Sequence, residues 1–291
     1  TPKSKYTIRP RQNRTTPRGN GDSRMEPHNA IQSGYLPVNG LEMYYESHGQ
    51  AGGVPLVLLH GAFSAIGTSF GLLLPGLAEG RRVITFDLQA HGRTADIDRP
   101  MSLEGMADDV AAALAALGIA RADVGGYSMG GAVALRVAIR HPEVVRKLVL
   151  ISVSYTLGGM HPGLMDGMGE MQPEMLHGSP WHDEYMEIAP RPEDFNRLFA
   201  RKAAMDEETR DIPAEAISGL TCPVLIIAGD SDILPPEHAV EMFRLVGGGR
   251  FGDSPEGLPD SQLAILPGTS HVSIVHRPEL LLPIIPAFLD V

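Results

Sequence analysis

Short apolar segments alternate with longer segments rich in helix-forming residues along most of the chain. Residues 54–59 form a nearly unbroken apolar run, which is typical of a strand buried on both faces. Strands that alternate with helices through short links form a mostly parallel sheet with helices on both faces. We therefore predict an α/β fold with strands at residues 54–59, 82–87, 145–152, 223–229 and 261–266, and a further strand that ends just before Gly126.

The turn and helix signals complete this core. Asn39-Gly40 separates two β-rich segments, residues 34–38 and 41–47, and this dipeptide is the strongest short signal for a β-hairpin. Ser102 precedes an alanine-rich helical pattern that Gly118 ends. Helices are predicted at residues 68–79, 102–117, 236–246 and 278–290.

The regular alternation stops between residues 155 and 219, where no strand-like run occurs. This segment is rich in Met, Pro and acidic residues, and a structureless loop of that length is improbable in a compact domain. We predict a helical cap, or lid, at 155–219, inserted into a core formed by 31–154 and 220–291. Residues 1–30 are predicted to be a disordered extension, since their first 24 positions hold seven Lys and Arg against one acid.

Composition excludes several classes of function. The chain has 291 residues and a formal net charge of −11, which argues against a nucleic-acid partner. Cys222 is the one cysteine, so neither an intramolecular disulfide nor a multi-cysteine metal site can form. No stretch approaches the roughly 18 apolar residues of a membrane-spanning helix, and no signal-peptide pattern is present. We expect a cytoplasmic enzyme with no membrane partner, no metal and no nucleotide cofactor; the oligomeric state is not predicted.

The sequence Gly126-Tyr127-Ser128-Met129-Gly130 has the G-x-S-x-G pattern in a strand–turn–helix setting. A serine on so tight a turn needs nearly side-chain-free residues two positions before and after it, which Gly126 and Gly130 provide. The turn places the Ser128 hydroxyl at a helix N-terminus, where backbone N–H groups favour a developing oxyanion. The alternative is a glycine-rich turn with an incidental serine.

A base and an acid for Ser128 follow later strands. Asp230 and Asp232 come directly after the predicted strand 223–229, and His271 follows the strand 261–266. A serine nucleophile needs a histidine base, and that base needs an orienting carboxylate. The chain order Ser, Asp, His is that of the α/β-hydrolases.

From about residue 35 onward, the chain resembles α/β-hydrolase fold proteins, in particular the capped carboxylesterases, enol-lactonases and C–C bond hydrolases. Four motifs carry the resemblance: His60-Gly61-Ala62-Phe63, Gly126-Tyr127-Ser128-Met129-Gly130-Gly131, Gly229-Asp230-Ser231-Asp232 and Gly268-Thr269-Ser270-His271. There are two departures from the family pattern: Ser270 stands where a glycine is common, and Gln89-Ala90 replaces a customary Arg-Gly pair.

The resemblance implies a role for each matching residue. Ser128 would be the nucleophile, His271 the general base and then acid, and Asp232 the triad acid in preference to Asp230, which would be structural. The backbone N–H groups of Ala62 and Met129 would form the oxyanion hole. His60 would support its loop by hydrogen bonding rather than act as a base.

The predicted cap supplies candidates for a substrate pocket. Phe63 and three cap residues, Met160, Met165 and Trp181, are the pocket candidates, although ordinary packing would also account for them. His161, His177 and His182 are interpreted as rim residues, because their spacing does not match a metal motif.

The predicted function is hydrolysis of small to medium esters by a serine hydrolase, with a small-molecule ester as the substrate. An enol-lactonase or a C–C bond hydrolase would use the same triad, and a cap arginine that binds the substrate ring (Arg191, Arg197 or Arg201) would favour that alternative. A ligand receptor on the same fold is a second alternative, because fold alone does not prove activity.

Overall fold

The computed structural model describes residues 32–50, 52–164 and 171–291. It contains an eight-stranded sheet in the order β1-β2-β4-β3-β5-β6-β7-β8. The predicted α/β architecture is confirmed; the disordered extension predicted at 1–30 lies outside the described residues. The strands are β1 (Gln32–Val38), β2 (Leu41–His48), β3 (Leu56–Leu59), β4 (Val83–Phe86), β5 (Ala122–Tyr127), β6 (Val145–Ile151), β7 (Val224–Ser231) and β8 (Gln262–Ser270).

The sheet is parallel from β4 to β8, and the hairpin forms an antiparallel edge. β1 pairs with β2, and β2 pairs with β4, in antiparallel register. The hairpin turn has φ of 50° at Asn39 and 83° at Gly40, and positive φ at both central residues is what a type I′ turn requires. The parallel arrangement brings the carboxyl ends of β3 to β8 to one edge of the sheet.

Helices cover both faces of the sheet because successive side chains of each strand point in opposite directions. Val57 and Leu59 of β3 join one buried cluster, whereas Leu56 and Leu58 join the other. The first cluster includes residues of helices α3 (Leu103–Ala116), α4 (Met129–Arg140) and Pro236–Leu245. The second includes residues of α1 (Ile66–Phe70), α2 (Leu74–Ala78), Pro278–Leu281 and Ile285–Leu289.

Two of the predicted helices are broken in the structure. The pattern at 68–79 forms α1 and α2 with a turn between them, and the pattern at 278–290 forms Pro278–Leu281 and Ile285–Leu289. Pro75 lies in the first turn of α2, and Pro286 in the first turn of the last helix. Proline has no N–H to donate to a preceding turn, so each one starts a new helix.

Between β6 and β7, the described residues form helices and no strand. These helices are Pro180–Ile188, Phe195–Glu208 and Ala214–Ser218, with 3-10 turns at Leu157–Gly159, Pro173–Leu176 and Pro192–Asp194. We call residues 155–219 the inserted segment; its separation from the core as a cap stays a prediction. Within the described ranges, no helix is long and apolar enough to cross a membrane.

Asp96, in the loop after β4, binds the inserted segment to the core. Its buried carboxylate lies 2.9 Å from Nε of Arg197 and 2.9 Å from Nε of Arg201, and it accepts a hydrogen bond from Gln89 Nε2 at 2.9 Å. Arg191 donates to the Asp96 carbonyl oxygen at 2.9 Å. One buried carboxylate therefore pairs with two guanidinium groups of helix Phe195–Glu208.

We predict that Asp96→Asn lowers the free energy of unfolding by about 1–3 kcal/mol, because an amide cannot pair with two guanidinium groups. Asp98, whose carboxylate is exposed, provides a matched control. Asp98→Asn should change the free energy of unfolding by less than about 0.5 kcal/mol. Urea unfolding of both variants measures the difference. Limited proteolysis should cut Asp96→Asn faster within residues 155–219; equal stability of the two variants would contradict this role for Asp96.

Candidate active site

Ser128 lies on a strained turn between β5 and α4. Its backbone has φ 53° and ψ −120°, a conformation that costs about 1–3 kcal/mol for a residue other than glycine. A Cβ atom on Gly126 would lie 2.2 Å from the carbonyl oxygen of Gly130, and one on Gly130 would lie 2.1 Å from that of Leu59. Helix α4 therefore approaches the strand ends closely enough to impose the turn only because both positions are glycine.

The side chains of Ser128, His271 and Asp232 form a continuous series of contacts. Ser128 Oγ is 3.0 Å from His271 Nε2, and His271 Nδ1 is 2.9 Å from Asp232 Oδ1. Tyr127 donates a hydrogen bond from its hydroxyl to the His271 carbonyl oxygen at 2.9 Å, which fixes the loop that carries the imidazole. The structure thus brings together the three residues that the sequence proposed, from the ends of β5, β7 and β8.

The Asp232 carboxylate is buried and accepts four hydrogen bonds. Besides His271, its partners are the Ser152 hydroxyl at 2.5 Å and the N–H groups of Gly229 at 2.9 Å and Ile233 at 2.7 Å. Burial alone would raise the pKa of Asp232, but the hydrogen bonds from His271, Ser152 and Gly229 hold that pKa below its usual value. The carboxylate therefore stays ionised beside the imidazole.

Ser152 is a contributor that the sequence analysis missed. It directly follows β6, with φ 56°, and its hydroxyl donates a hydrogen bond to Asp232, 80 positions along the chain. Ser152 is the last residue of the strand predicted at 145–152, but no local pattern marks it as a partner of Asp232. What the sequence did not reveal is that β6 and β7 are neighbours in the sheet.

Asp230 occupies a different environment from Asp232. It is exposed, and its carboxylate accepts hydrogen bonds from the backbone N–H groups of Gly268 at 2.8 Å and Thr269 at 3.2 Å. These two bonds hold its pKa below the ordinary value. Asp230 thus fixes the loop that leads to His271, whereas Asp232 contacts the imidazole itself.

Two backbone N–H groups beside Ser128 make no hydrogen bond to any described residue: those of Ala62 and Met129. Met129 is the first residue of α4, and the first N–H groups of a helix have no partner within it. Both residues border the cavity that contains Ser128. This arrangement can donate two hydrogen bonds to an oxygen that develops negative charge near Ser128 Oγ.

His60 supports the loop that carries Ala62. Its Nε2 accepts a hydrogen bond from the Leu88 N–H at 3.0 Å, which leaves Nδ1 to donate to the Gly61 carbonyl oxygen at 2.8 Å. Burial lowers the pKa of His60 to about 4 and that of its neighbour His91 to about 3. His60 is therefore neutral and structural. In the same region, Ala90 has φ 67° at the position of the customary glycine.

The cavity that contains Ser128 and His271 has a volume of about 330 Å³. Met160 lines it, as do Met171 and Met205, whereas Phe63 and Trp181 are not among its lining residues. The fourth pocket candidate, Met165, lies outside the described residues. The cavity wall is thus mainly apolar, and the other lining residues include Leu103, Ala132, Val153, Tyr155, Leu157, Leu164 and Ile233.

The charged residues of the cavity are not the ones the sequence suggested. Arg191, Arg197 and Arg201 bind Asp96 and do not line the cavity. The cations that line it are Arg136, Lys202 and Arg210, and the carboxylates are Asp206 and Asp211. Among the described residues, no group of three or more His, Cys, Asp and Glu side chains is arranged to hold a metal ion.

We predict that Ser152→Ala lowers kcat/KM about tenfold for any substrate that Ser128 attacks, because a hydrogen bond to a charged group contributes about 1.5–3 kcal/mol. The matched control is Ser154→Ala, since Ser154 also lines the cavity but bonds to His238 and not to Asp232. Steady-state kinetics of both variants measure the difference. Unchanged kcat/KM in Ser152→Ala would show that Asp232 does not need this donor.

The lowered pKa of His60 predicts a pH dependence of stability. The unfolded chain takes up a proton near pH 6.5 and the folded chain only near pH 4, so the stabilisation by neutral His60 is lost as pH falls between these values. Between pH 4 and pH 6.5, this difference in proton binding at His60 changes the free energy of unfolding by about 1 kcal/mol per pH unit. Burial raises the pKa of Asp87 to about 7, so at this residue the folded chain binds a proton more readily than the unfolded chain does. Acidification therefore raises the free energy of unfolding through Asp87 and lowers it through His60.

The test compares urea unfolding from pH 7 to pH 4 in the wild type, His60→Gln and His276→Gln. His60→Gln should lose less free energy of unfolding on acidification than the wild type does, whereas replacement of the exposed His276 should leave the slope unchanged. Parallel curves for the wild type and His60→Gln would mean that His60 is protonated equally in both states.

The fold has known relatives. The chain is 27% identical over 264 residues to the putative carbamate hydrolase RutD from Agrobacterium fabrum (strain C58 / ATCC 33970), covering 82% of this chain and 94% of that protein. It also aligns with a meta-cleavage product hydrolase, CumD, from Pseudomonas fluorescens IP01, with a TM-score of 0.67, 20% identity, and coverage of 90% of this chain and 98% of the other.

A thermophilic esterase from Thermogutta terrifontis gives a TM-score of 0.66 at 24% identity, with coverage of 89% of this chain and 98% of the esterase. At such identities, these structural likenesses indicate the fold alone. A family model described as alpha/beta hydrolase fold matches residues 54–212, which is more than half of the chain. The resemblance seen in the sequence motifs is thereby confirmed, and the chain belongs to the alpha/beta hydrolase fold family.

Proposed function

We propose that this protein is a serine hydrolase of the carboxylesterase type that cleaves small to medium esters through an acyl-enzyme. The observation that carries the proposal is the continuous contact from Asp232 through His271 to Ser128, which opens onto an apolar cavity. The N–H groups of Ala62 and Met129 at the same cavity add a site for an oxyanion. Nucleophile, base, orienting acid and oxyanion donors are the groups that acyl transfer requires.

In the first step, Ser128 Oγ attacks the carbonyl carbon of the ester while His271 Nε2 takes the hydroxyl proton. The carbonyl oxygen becomes an oxyanion, which accepts hydrogen bonds from the N–H groups of Ala62 and Met129. The Asp232 carboxylate stabilises the imidazolium through Nδ1–H. As the tetrahedral intermediate collapses, the bond to the leaving oxygen breaks, and His271 returns its proton to that oxygen. The products are the acyl-Ser128 ester and the free alcohol.

In the second step, a water molecule takes the place of the alcohol. His271 Nε2 removes one of its protons as the water oxygen attacks the acyl carbon, and the same two N–H groups bind the new oxyanion. Collapse of this intermediate breaks the bond to Ser128 Oγ, which regains its proton from His271. The carboxylic acid leaves, and the enzyme returns to its starting state.

The same triad could act on related bonds. An enol-lactone, a carbamate or a C–C bond next to a carbonyl also passes through an intermediate that two N–H donors can bind, and one relative is named a putative carbamate hydrolase. The three arginines that the sequence suggested for a lactonase or C–C hydrolase, Arg191, Arg197 and Arg201, bind Asp96 instead. Arg210 of the inserted segment lines the cavity and is a further candidate for that role. We place ester hydrolysis first because the mainly apolar cavity wall suits the acyl chain of an ester.

The central test measures hydrolysis of p-nitrophenyl esters, from acetate to long acyl chains, by the wild type, Ser128→Ala and Ser154→Ala. Ser128→Ala should lower kcat/KM by at least about 10⁴-fold, since the nucleophile is lost. Ser154→Ala should retain most of the activity, because Ser154 lines the cavity but has no part in acyl transfer. The 330 Å³ cavity should give an optimum at short or medium chains, and long chains should react poorly.

Parallel assays with a lactone, a carbamate and a vinylogous diketone separate ester hydrolysis from its alternatives. Turnover of one of these substrates with no turnover of any ester would replace the esterase proposal by the corresponding activity. A folded protein that binds esters tightly but turns over none of the panel would instead support a ligand receptor.

A further inference from the structure

The backbone of Phe63 lies in the left-handed region, with φ 60°. A bulky L-residue adopts this conformation only where its surroundings impose it. Phe63 directly follows Ala62, whose N–H is one of the two oxyanion donors in the proposed mechanism. The strain therefore sits next to a group whose direction matters for catalysis.

The residues on either side of the Ala62-Phe63 pair are fixed to the core. The Gly61 carbonyl oxygen accepts hydrogen bonds from His60 Nδ1 and Ser64 Oγ, both at 2.8 Å. Within the part of the chain that the structure describes, neither Ala62 nor Phe63 makes a hydrogen bond. Hydrogen bonding thus fixes the ends of this short loop but not its middle, so the conformation of Phe63 depends on its side-chain contacts.

The Phe63 ring stacks on the ring of Phe199, with a centroid separation of 4.2 Å and an interplanar angle of 19°. Phe199 is 8% exposed and belongs to helix Phe195–Glu208 of the inserted segment. Its ring also contacts Phe195 edge-on at 5.3 Å, and Phe195 contacts Tyr185 at 5.2 Å. The ring that holds Phe63 is therefore supported by the inserted segment and not by the loop itself.

We propose that Phe199 is a positioning residue that holds Phe63 in its left-handed conformation and so aims the Ala62 N–H at the oxyanion. Without the stack, Phe63 relaxes toward negative φ, and Ala62 must absorb the change because Gly61 and Ser64 are fixed. Packing of the inserted segment against the core and formation of the oxyanion hole are then coupled. This inference rests on the proposed function, because it assigns Phe199 an effect on the Ala62 donor.

The first test compares Phe199→Leu with Leu198→Ala, in assays with the best p-nitrophenyl ester. Loss of an oxyanion donor lowers kcat 10²–10³-fold, so a displaced donor should lower it about tenfold, with KM changed less than about twofold. Leu198 is buried in the same helix but has no ring that could support the stack, so kcat of Leu198→Ala should stay within about threefold. Phe199→Tyr keeps the stacked ring and should retain kcat.

A second comparison tests the link through Phe63. Glycine adopts positive φ without help from a neighbour, so in a Phe63→Gly background the further change Phe199→Leu should alter kcat by less than about twofold. Binding of phenylboronic acid gives a readout other than turnover, because its tetrahedral adduct with Ser128 places an oxygen at the same N–H groups. Its inhibition constant should rise about tenfold in Phe199→Leu and not in Leu198→Ala.

Equal losses of kcat in Phe199→Leu and Leu198→Ala, or an undiminished effect of Phe199→Leu in the Phe63→Gly background, would overturn the inference. Circular dichroism checks folding, and Phe199→Met replaces Phe199→Leu if the latter does not fold. The variant Ser128→Ala distinguishes a failure of the proposed function from a failure of the inference about Phe199. Activity that persists in Ser128→Ala contradicts the proposed function, whereas Ser128-dependent activity that Phe199→Leu leaves unchanged overturns this inference alone.

Discussion

The close approach of helix α4 to the ends of β3 and β5 is the constraint on which the site depends. At Gly126 and Gly130, any side chain would collide with backbone atoms at about 2.1–2.2 Å, and backbone cannot move aside as a flexible side chain can. The approach forces Ser128 into its strained turn and sets the Met129 N–H beside its hydroxyl. The proposed nucleophile and one of the two proposed oxyanion donors are therefore positioned by one packing contact, and the many buried contacts of α4 compensate the strain.

A second constraint is the buried carboxylate of Asp232. An ionised group in the interior is tolerated only when its oxygens are hydrogen-bonded, and here the donors come from β6, from β7 and its following loop, and from the loop after β8. The carboxylate thus connects three strand ends at one edge of the sheet. Because these bonds act in a region shielded from water, they orient His271 more firmly than the same bonds on the surface could.

The inserted segment is attached to the core by chemically different contacts. Asp96 pairs with Arg197 and Arg201, the Thr68 N–H donates to Glu184 Oε2 at 3.0 Å, and Phe63 stacks on Phe199. Two of these contacts reach the loop and helix that directly follow β3, where the Ala62 N–H lies. The cavity wall and the N–H groups proposed as oxyanion donors are therefore parts of one packed arrangement.

The sequence by itself determined the order of strands and helices, the hairpin at Asn39-Gly40 and the tight turn at Ser128, because each depends on local periodicity or on glycine at a defined spacing. Chain order and loop position also pointed to His271, and the resemblance to the α/β-hydrolases implied Asp232 rather than Asp230. Only the tertiary structure decided which distant groups meet. Ser152 and Asp232 are 80 positions apart, and Arg201 and Asp96 are 105 apart. Such pairs depend on strand neighbours and helix packing, which no local pattern specifies. For the same reason, the three arginines of the inserted segment that the sequence suggested for substrate bind Asp96 instead.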